Sequence, residues 1–188
     1  FRRVLFRSHL QRYLLGSMTS VFPSTTASAI TTLMTGLAPA QHGLTGWHMH
    51  MDEIDQTLSI LPLTPRVGPA RMLPDELPAR LFDHQSLSQT LDRECWVIAP
   101  RSIVGSAFNA WHARGAQTLG YNGLPGMFAG LGELLQADAR PRYVYAYTPD
   151  LDSFSHHYGT DSRQAQQALT DFDSLFGALL RRLRGSNT

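Results

Sequence analysis

The sequence contains no lysine; all sixteen of its basic residues are arginine. That absence excludes a phosphate-loop lysine, a Schiff-base lysine and a lysine general base together. There is one cysteine, Cys95, which rules out a disulfide framework within the chain and a cysteine-rich zinc site. Cys95 lies in the apolar run Cys95-Trp96-Val97-Ile98 and reads as a small buried hydrophobe. Charge is also scarce. Charged residues make up 16% of the chain and the formal net charge is +1, so no broad positive field is available for non-specific nucleic-acid binding. No apolar stretch approaches the roughly 20 residues needed to cross a bilayer, so no membrane span is expected. The first residues lack the charged, apolar and small-residue zones of a secretory signal, which slightly favours a cytoplasmic location. They also lack an initiator methionine and any clear period. The start therefore reads as truncated, with residues 1–18 foreign or disordered, and the chain as a fragment.

What is present suffices for one domain. The chain has 188 residues, 43% of them hydrophobic, enough to bury a substantial core. Val21-Phe22-Pro23 reads as a strand end closed by proline. Ser24-Thr25-Thr26 then offers three N-cap residue types before an uninterrupted helix over Ala27 to Thr35. Gly36 stands where a left-handed C-terminal cap belongs, with Pro39 beyond it. From Trp47 to Pro78 the signals fragment. Prolines at 62, 65, 69, 74 and 78 prevent any long element, and residues 47–78 read as a surface excursion.

Further on, Leu87 to Leu91 predicts a short helix leading into a strand over Cys95 to Ala99. Pro125 to Ala137 predicts a helix with Met127, Leu131, Leu134 and Leu135 on one face. Arg142 to Tyr147 predicts a strand between Pro141 and Pro149. Asp161 to Arg184 carries the most sustained helical stripe, from Ala165 and Leu169 through Phe172 and Phe176 to Leu180 and Leu183. Strands alternating with helices predict an α/β fold with a mostly parallel central sheet flanked by helices.

Three groups of residues could do chemistry. A hydroxyl in Ser24-Thr25-Thr26 would sit at a helix start, beside unpaired N–H groups and the positive end of the dipole, where a phosphate binds. A plain N-cap is the simpler account of the same residues at this level. The second group is Asp150-Leu151-Asp152-Ser153-Phe154-Ser155-His156-His157, directly after a strand, where open α/β sheets bind ligands. Asp152 and His156 are four apart and face the same way on a helical turn, a pairing that suits zinc. Asp150 and His157 compete for those roles, and a polar loop leading into the next helix is the plain alternative. The third group, His48 and His50, would share one face of an extended strand but has no third ligand at an obvious spacing. His42, before Gly43, reads as a turn histidine bonded locally.

In order along the chain, these motifs resemble the type I phosphodiesterase/nucleotide pyrophosphatase family of the alkaline phosphatase superfamily. The resemblance rests on Phe22-Pro23-Ser24-Thr25-Thr26, on Thr35-Gly36-Leu37-Ala38-Pro39 with His42-Gly43, and on Asp152 through His156 to Gly159. It covers roughly residues 19–46 and 142–183, and a long helix carrying Asp171 and Asp173 follows the second motif as it does in the family. The resemblance implies an alkaline-phosphatase-like fold, incomplete here, and two divalent metal ions, zinc being usual. It implies Thr26 as both nucleophile and metal ligand, Asp152 and His156 as metal ligands, and a small phosphate-ester or nucleotide substrate.

Hydrolysis of phosphodiester or pyrophosphate bonds through a covalent threonine intermediate is the activity so implied. Two ions about 4 Å apart suit such an in-line displacement. Three departures accompany it. The family's upstream ligand aspartate has no counterpart in residues 1–20, and its downstream aspartate-histidine and histidine ligands do not appear before Thr188. Trp47 stands where many members have an asparagine whose amide helps bind phosphate. The chain alone is therefore expected to be inactive. A phosphomonoesterase or phosphonate hydrolase of the same fold, or a non-catalytic relative acting as an interaction module, is the alternative.

Overall fold

A computed structural model describes residues 8–68, 75–137 and 140–184. Pro69 and Pro74, the first seven residues of the expected foreign start and the segment from Gly185 to Thr188 lie outside the described residues. The elements begin with helix α1 (His9–Arg12), α2 (Thr26–Thr35) and α3 (Pro39–His42). Strands β1 (His48–Met51), β2 (Gln56–Ser59) and β3 (Thr64–Pro65) follow, then helices α4 (Leu77–Leu81) and α5 (Leu87–Thr90). The second half runs β4 (Glu94–Pro100), α6 (Ala107–His112), β5 (Gln117–Tyr121), α7 (Gly123–Gln136), β6 (Arg142–Ala146), α8 (Asp150–Tyr158) and α9 (Arg163–Leu183). The chain divides into two compact units, one formed within Phe1–Ser17, Val97–Arg101 and Leu119–Thr188, the other within Met18–Trp96 and Ser102–Thr118.

The first unit holds a parallel sheet in the order β5-β4-β6, flanked by helices. β4 is the central strand, and Val97, Ile98 and Ala99 are buried in succession. A strand covered on both faces needs such a continuous apolar run rather than an alternating one. α7 and α9 pack on each other, with Phe128 edge-on to Phe172 at 5.1 Å between ring centres. Gly130 lets α7 approach β5, because a Cβ there would come within 2.6 Å of the Leu119 side chain. α9 ties down α1 as well: the Asp173 carboxylate accepts the backbone N–H groups of His9 at 3.1 Å and Leu10 at 2.7 Å.

The second unit is built around an apolar cluster of Ala27, Leu44, Met51, Leu58, Ile60, Leu77, Phe82 and Phe108. Here the expected surface excursion over residues 47–78 is corrected. Its pieces are short, as the prolines require, but β1, β2 and β3 form an antiparallel sheet. Leu58 and Ile60 are completely buried. Residues two apart on a strand share a face, so Leu58 and Ile60 turn together into the core. Pro65 is tolerated because β3 is an edge strand.

A second correction concerns Val21-Phe22-Pro23, which forms a bend rather than a strand end. Phe22 is exposed and Pro23 has no N–H to contribute to a ladder. The helix after it is as expected, with Gly36 closing α2 at φ 74° and donating its N–H to the Thr32 carbonyl at 2.8 Å.

Candidate active site

The start of α2 resolves which hydroxyl caps it. Thr25 is the N-cap: its Oγ1 accepts the Ser28 N–H at 3.3 Å and lies 3.1 Å from the Ser28 hydroxyl. Ser28 in turn donates to the Leu44 carbonyl at 2.7 Å, fastening the helix start to the segment beyond Gly43. The capping function that could have fallen to Ser24, Thr25 or Thr26 thus belongs to Thr25. Thr26 is the first helical residue, half-buried, and no described residue hydrogen-bonds its hydroxyl. It stands at the positive end of a ten-residue helix, whose first N–H groups favour an anion.

The second motif also folds as a helix rather than a polar loop. Asp150 opens α8, its N–H bonded to the Thr148 hydroxyl at 3.3 Å. Asp152 Oδ1 and His156 Nε2 lie 3.6 Å apart across one turn, with the two side chains 65% and 80% exposed. Two ligands of one tetrahedral zinc ion are separated by about 3.3 Å, so this oxygen–nitrogen pair fits a shared divalent ion. The fit extends to two ligands only. Among the described residues, no group of three or more His, Cys, Asp or Glu side chains is placed to hold a metal.

Of the two competing residues, Asp150 lines a cleft of about 250 Å³ with Leu10, Leu124, Thr148, Leu169 and Phe172. His157 packs beside the Tyr158 ring. Tyr147, just before α8, has its phenol pushed above the ordinary value by burial first and the Asp152 carboxylate next. It therefore stays a neutral hydroxyl beside the acidic turn.

The remaining histidines separate into surface and core. His48 and His50 lie on β1 as expected, each with its own partner: His48 Nδ1 is 3.1 Å from the Ser59 hydroxyl, and His50 Nε2 is 3.4 Å from Asp52. His42 is the turn histidine, its Nδ1 accepting the Leu44 N–H at 3.0 Å. It is also buried and reaches Thr32 on α2. His112, buried, and His84, half-buried, join it within the second unit, a grouping that no local spacing in the sequence announces. Trp47 is half-exposed, its ring edge-on to His48 and its carbonyl accepting the Ile60 N–H at 3.0 Å.

This architecture is an alkaline-phosphatase-like α/β fold. Murine ectonucleotide pyrophosphatase/phosphodiesterase 5 is similar to it with a TM-score of 0.63 and 17% identity over 96% of this chain and 49% of that one. An inactive threonine-to-alanine variant of the murine protein, in complex with AMP, gives a TM-score of 0.63 at 16% identity over the same shares of the two chains. The human counterpart gives 0.58 at 17% identity over 88% of this chain and 42% of that one. The chain thus spans about half the length of these solved relatives. No curated protein matches it. The family model for type I phosphodiesterase / nucleotide pyrophosphatase matches residues 6–65 and 77–188, and the chain belongs to that family.

Proposed function

We propose that this chain is the nucleophile-bearing part of a hydrolase of phosphodiester or pyrophosphate bonds. The observation that carries the reading is the division of labour at α2: Thr25 takes the cap, and Thr26 keeps an unbonded hydroxyl among the N–H groups of a helix start. In the proposed reaction the Thr26 oxygen attacks phosphorus as its proton departs, the bond to the leaving alcohol or phosphate breaks, and a phosphoryl- or nucleotidyl-threonine forms. Water then attacks the same phosphorus from the opposite side and the threonine oxygen leaves, regaining a proton. Two divalent ions, zinc in this proposal, would lower the hydroxyl pKa and offset the charge that develops on the attacking and leaving oxygens. Asp152 and His156 would hold one of them, and Thr26 would contribute its oxygen.

Two features of the murine relative support this reading. One threonine-to-alanine change defines its inactive form, and that form is found with AMP. A nucleotide is accordingly the first candidate substrate class. Trp47 favours a second one, because an indole offers a single N–H donor on a bulky ring; phosphomonoesters and phosphonates follow as candidate substrates.

The test uses the longer protein containing this chain, assayed with zinc on a nitrophenyl phosphodiester and the matching monoester. Thr26→Ala should lower turnover by about 10³-fold or more, the scale of removing a covalent nucleophile. Thr26→Ser should retain a measurable part. Unchanged turnover in Thr26→Ala would overturn the assignment. The 188-residue chain alone, offering Asp152 and His156 for a site that needs more ligands, is expected to show none.

A further inference from the structure

Three histidines meet beneath α2, and none belongs to the proposed site. His112 on α6 is 1% exposed. Its ring stacks on Phe108 at 4.0 Å and meets the edge of Phe82 at 5.1 Å. Its Nδ1 is 2.7 Å from the Phe108 carbonyl. A carbonyl only accepts, so Nδ1 carries the proton and Nε2 presents a lone pair. That lone pair faces the Thr31 hydroxyl at 3.1 Å and His84 Nε2 at 3.4 Å. His42, 7% exposed, has the opposite tautomer. Its Nδ1 accepts the Leu44 N–H at 3.0 Å, which leaves Nε2 to donate to Thr32 at 3.2 Å. Thr31 and Thr32 are neighbours on α2, so the helix is gripped twice, and the His42 grip, which rests on Nδ1 accepting the Leu44 N–H, requires a neutral imidazole.

Protonation disturbs both arrangements. A proton on His42 Nδ1 would point at the Leu44 N–H, donor against donor. A proton on His112 Nε2 would reverse the Thr31 bond, and with His84 protonated as well two Nε2–H groups would meet at 3.4 Å, donor against donor, so one ring would have to turn away. The charged surroundings oppose it further. Arg114 donates to the Phe82 and His84 carbonyls beside the cluster and Asp83 is the carboxylate facing it. α2 and α5 contain no charged residue; on α4, Arg80 is paired with Glu53 at the surface.

We propose that His42, His84 and His112 form an acid-sensitive clamp on α2, holding the helix that carries Thr26 while they are neutral and releasing it when they are protonated. Burial is the largest cause of a lowered pKa in all three, pushing His112 from 6.5 down to about 4. A depressed folded-state value means that the unfolded form takes up protons first as pH falls. The stability held by His112 is therefore complete above about pH 6.5 and lost as pH falls toward about 4. Within that window one such group changes the opening equilibrium by up to about tenfold per pH unit.

Amide hydrogen exchange of the chain at pH 7.5 and 5.0, corrected for intrinsic rates, tests the clamp without recourse to catalysis. The α2 amides should lose protection at least tenfold at the lower pH while the α9 amides keep theirs. His112→Phe, which preserves the aromatic packing and removes the titration, should abolish most of that difference. Equal α2 protection at both pH values overturns the proposal, as does an equal loss in α9 or an undiminished loss in His112→Phe. Should the variant not fold, the ring-proton titration of the unmodified chain decides: a His112 midpoint well below 6 supports the clamp, and one at or above 6.5 overturns it.

Discussion

The Tyr121 hydroxyl donates to the Tyr147 carbonyl at 2.9 Å, joining the last residue of β5 to the residue that leaves β6 for α8. Tyr147 is fastened on its other side too, its N–H donating to the Ile98 carbonyl of β4 at 2.9 Å. The turn bearing Asp152 thus starts from a backbone held by two neighbouring strands. Tyr121 is 7% exposed, so Tyr121→Phe keeps the packing and removes one hydrogen bond, a loss of about 1 kcal/mol. A chain of this length should then melt roughly 2–4 °C lower. An unchanged melting temperature would show that the bond contributes nothing net.

The anchoring of α1 rests on two residues of α9. Asp173 satisfies two N–H groups at the start of that short helix, and a Cβ on Gly177 would overlap the His9 ring. A carboxylate accepting two backbone donors contributes about 1–3 kcal/mol. Asp173→Ala should therefore free α1, and Gly177→Ala should do the same by displacing it. Limited trypsin digestion reads this directly through cleavage after Arg12. Both variants should be cut there several-fold faster than the unmodified chain, and equal rates would place the anchoring elsewhere.

Sequence patterns anticipated the elements whose signals are local and repeated. α9 shows this most directly, since a stripe sustained over six turns has no competing reading. β4 was legible as an apolar run, and α2 from its hydroxyl cluster and Gly36. Elements with only a few residues in the pattern escaped. β5 contains Gly120 and is five residues long, and α6 spans six; neither is long enough to establish a period. The meander of β1, β2 and β3 has the sequence pattern of a surface segment because its strands are four residues or fewer and prolines punctuate it.

The candidate site followed the same rule. Asp152 and His156 were visible because helix geometry pairs residues four apart. Spacing could not show that Thr25 rather than Thr26 is the cap, which depends on the Thr25 hydroxyl and the Ser28 N–H meeting. Nor could it show the clamp, where His112 meets Thr31 across 81 positions of sequence.

The buried thiol gives a simple test of interior packing. Cys95 is 2% exposed and its Sγ lies 3.4 Å from the Arg93 carbonyl. Reaction with a thiol reagent requires exposure and a thiolate, and here access limits the rate. In native buffer the cysteine should remain unmodified over an hour, whereas in denaturant it should react within minutes. Fast modification in native buffer would mean that the start of β4 opens readily.

The Asp152–His156 pair separates a metal site from a surface ion pair. Exposed as it is, the pair without metal contributes about 0–1 kcal/mol. Asp152→Asn and His156→Gln should each leave the zinc-free stability within about 0.5 kcal/mol, as is typical of surface changes, and the melting temperature nearly unchanged. With zinc bound the balance differs, because a ligand that binds only the folded form stabilises it by about 2.7 kcal/mol at 100 times its dissociation constant. Zinc should raise the melting temperature of the unmodified chain, and either substitution should remove most of that rise. The two substitutions together should cost little beyond either one, since half of a two-ligand grip holds almost nothing. A zinc response that survives both changes would place the metal on other side chains and leave the pair a solvated contact across one turn of α8.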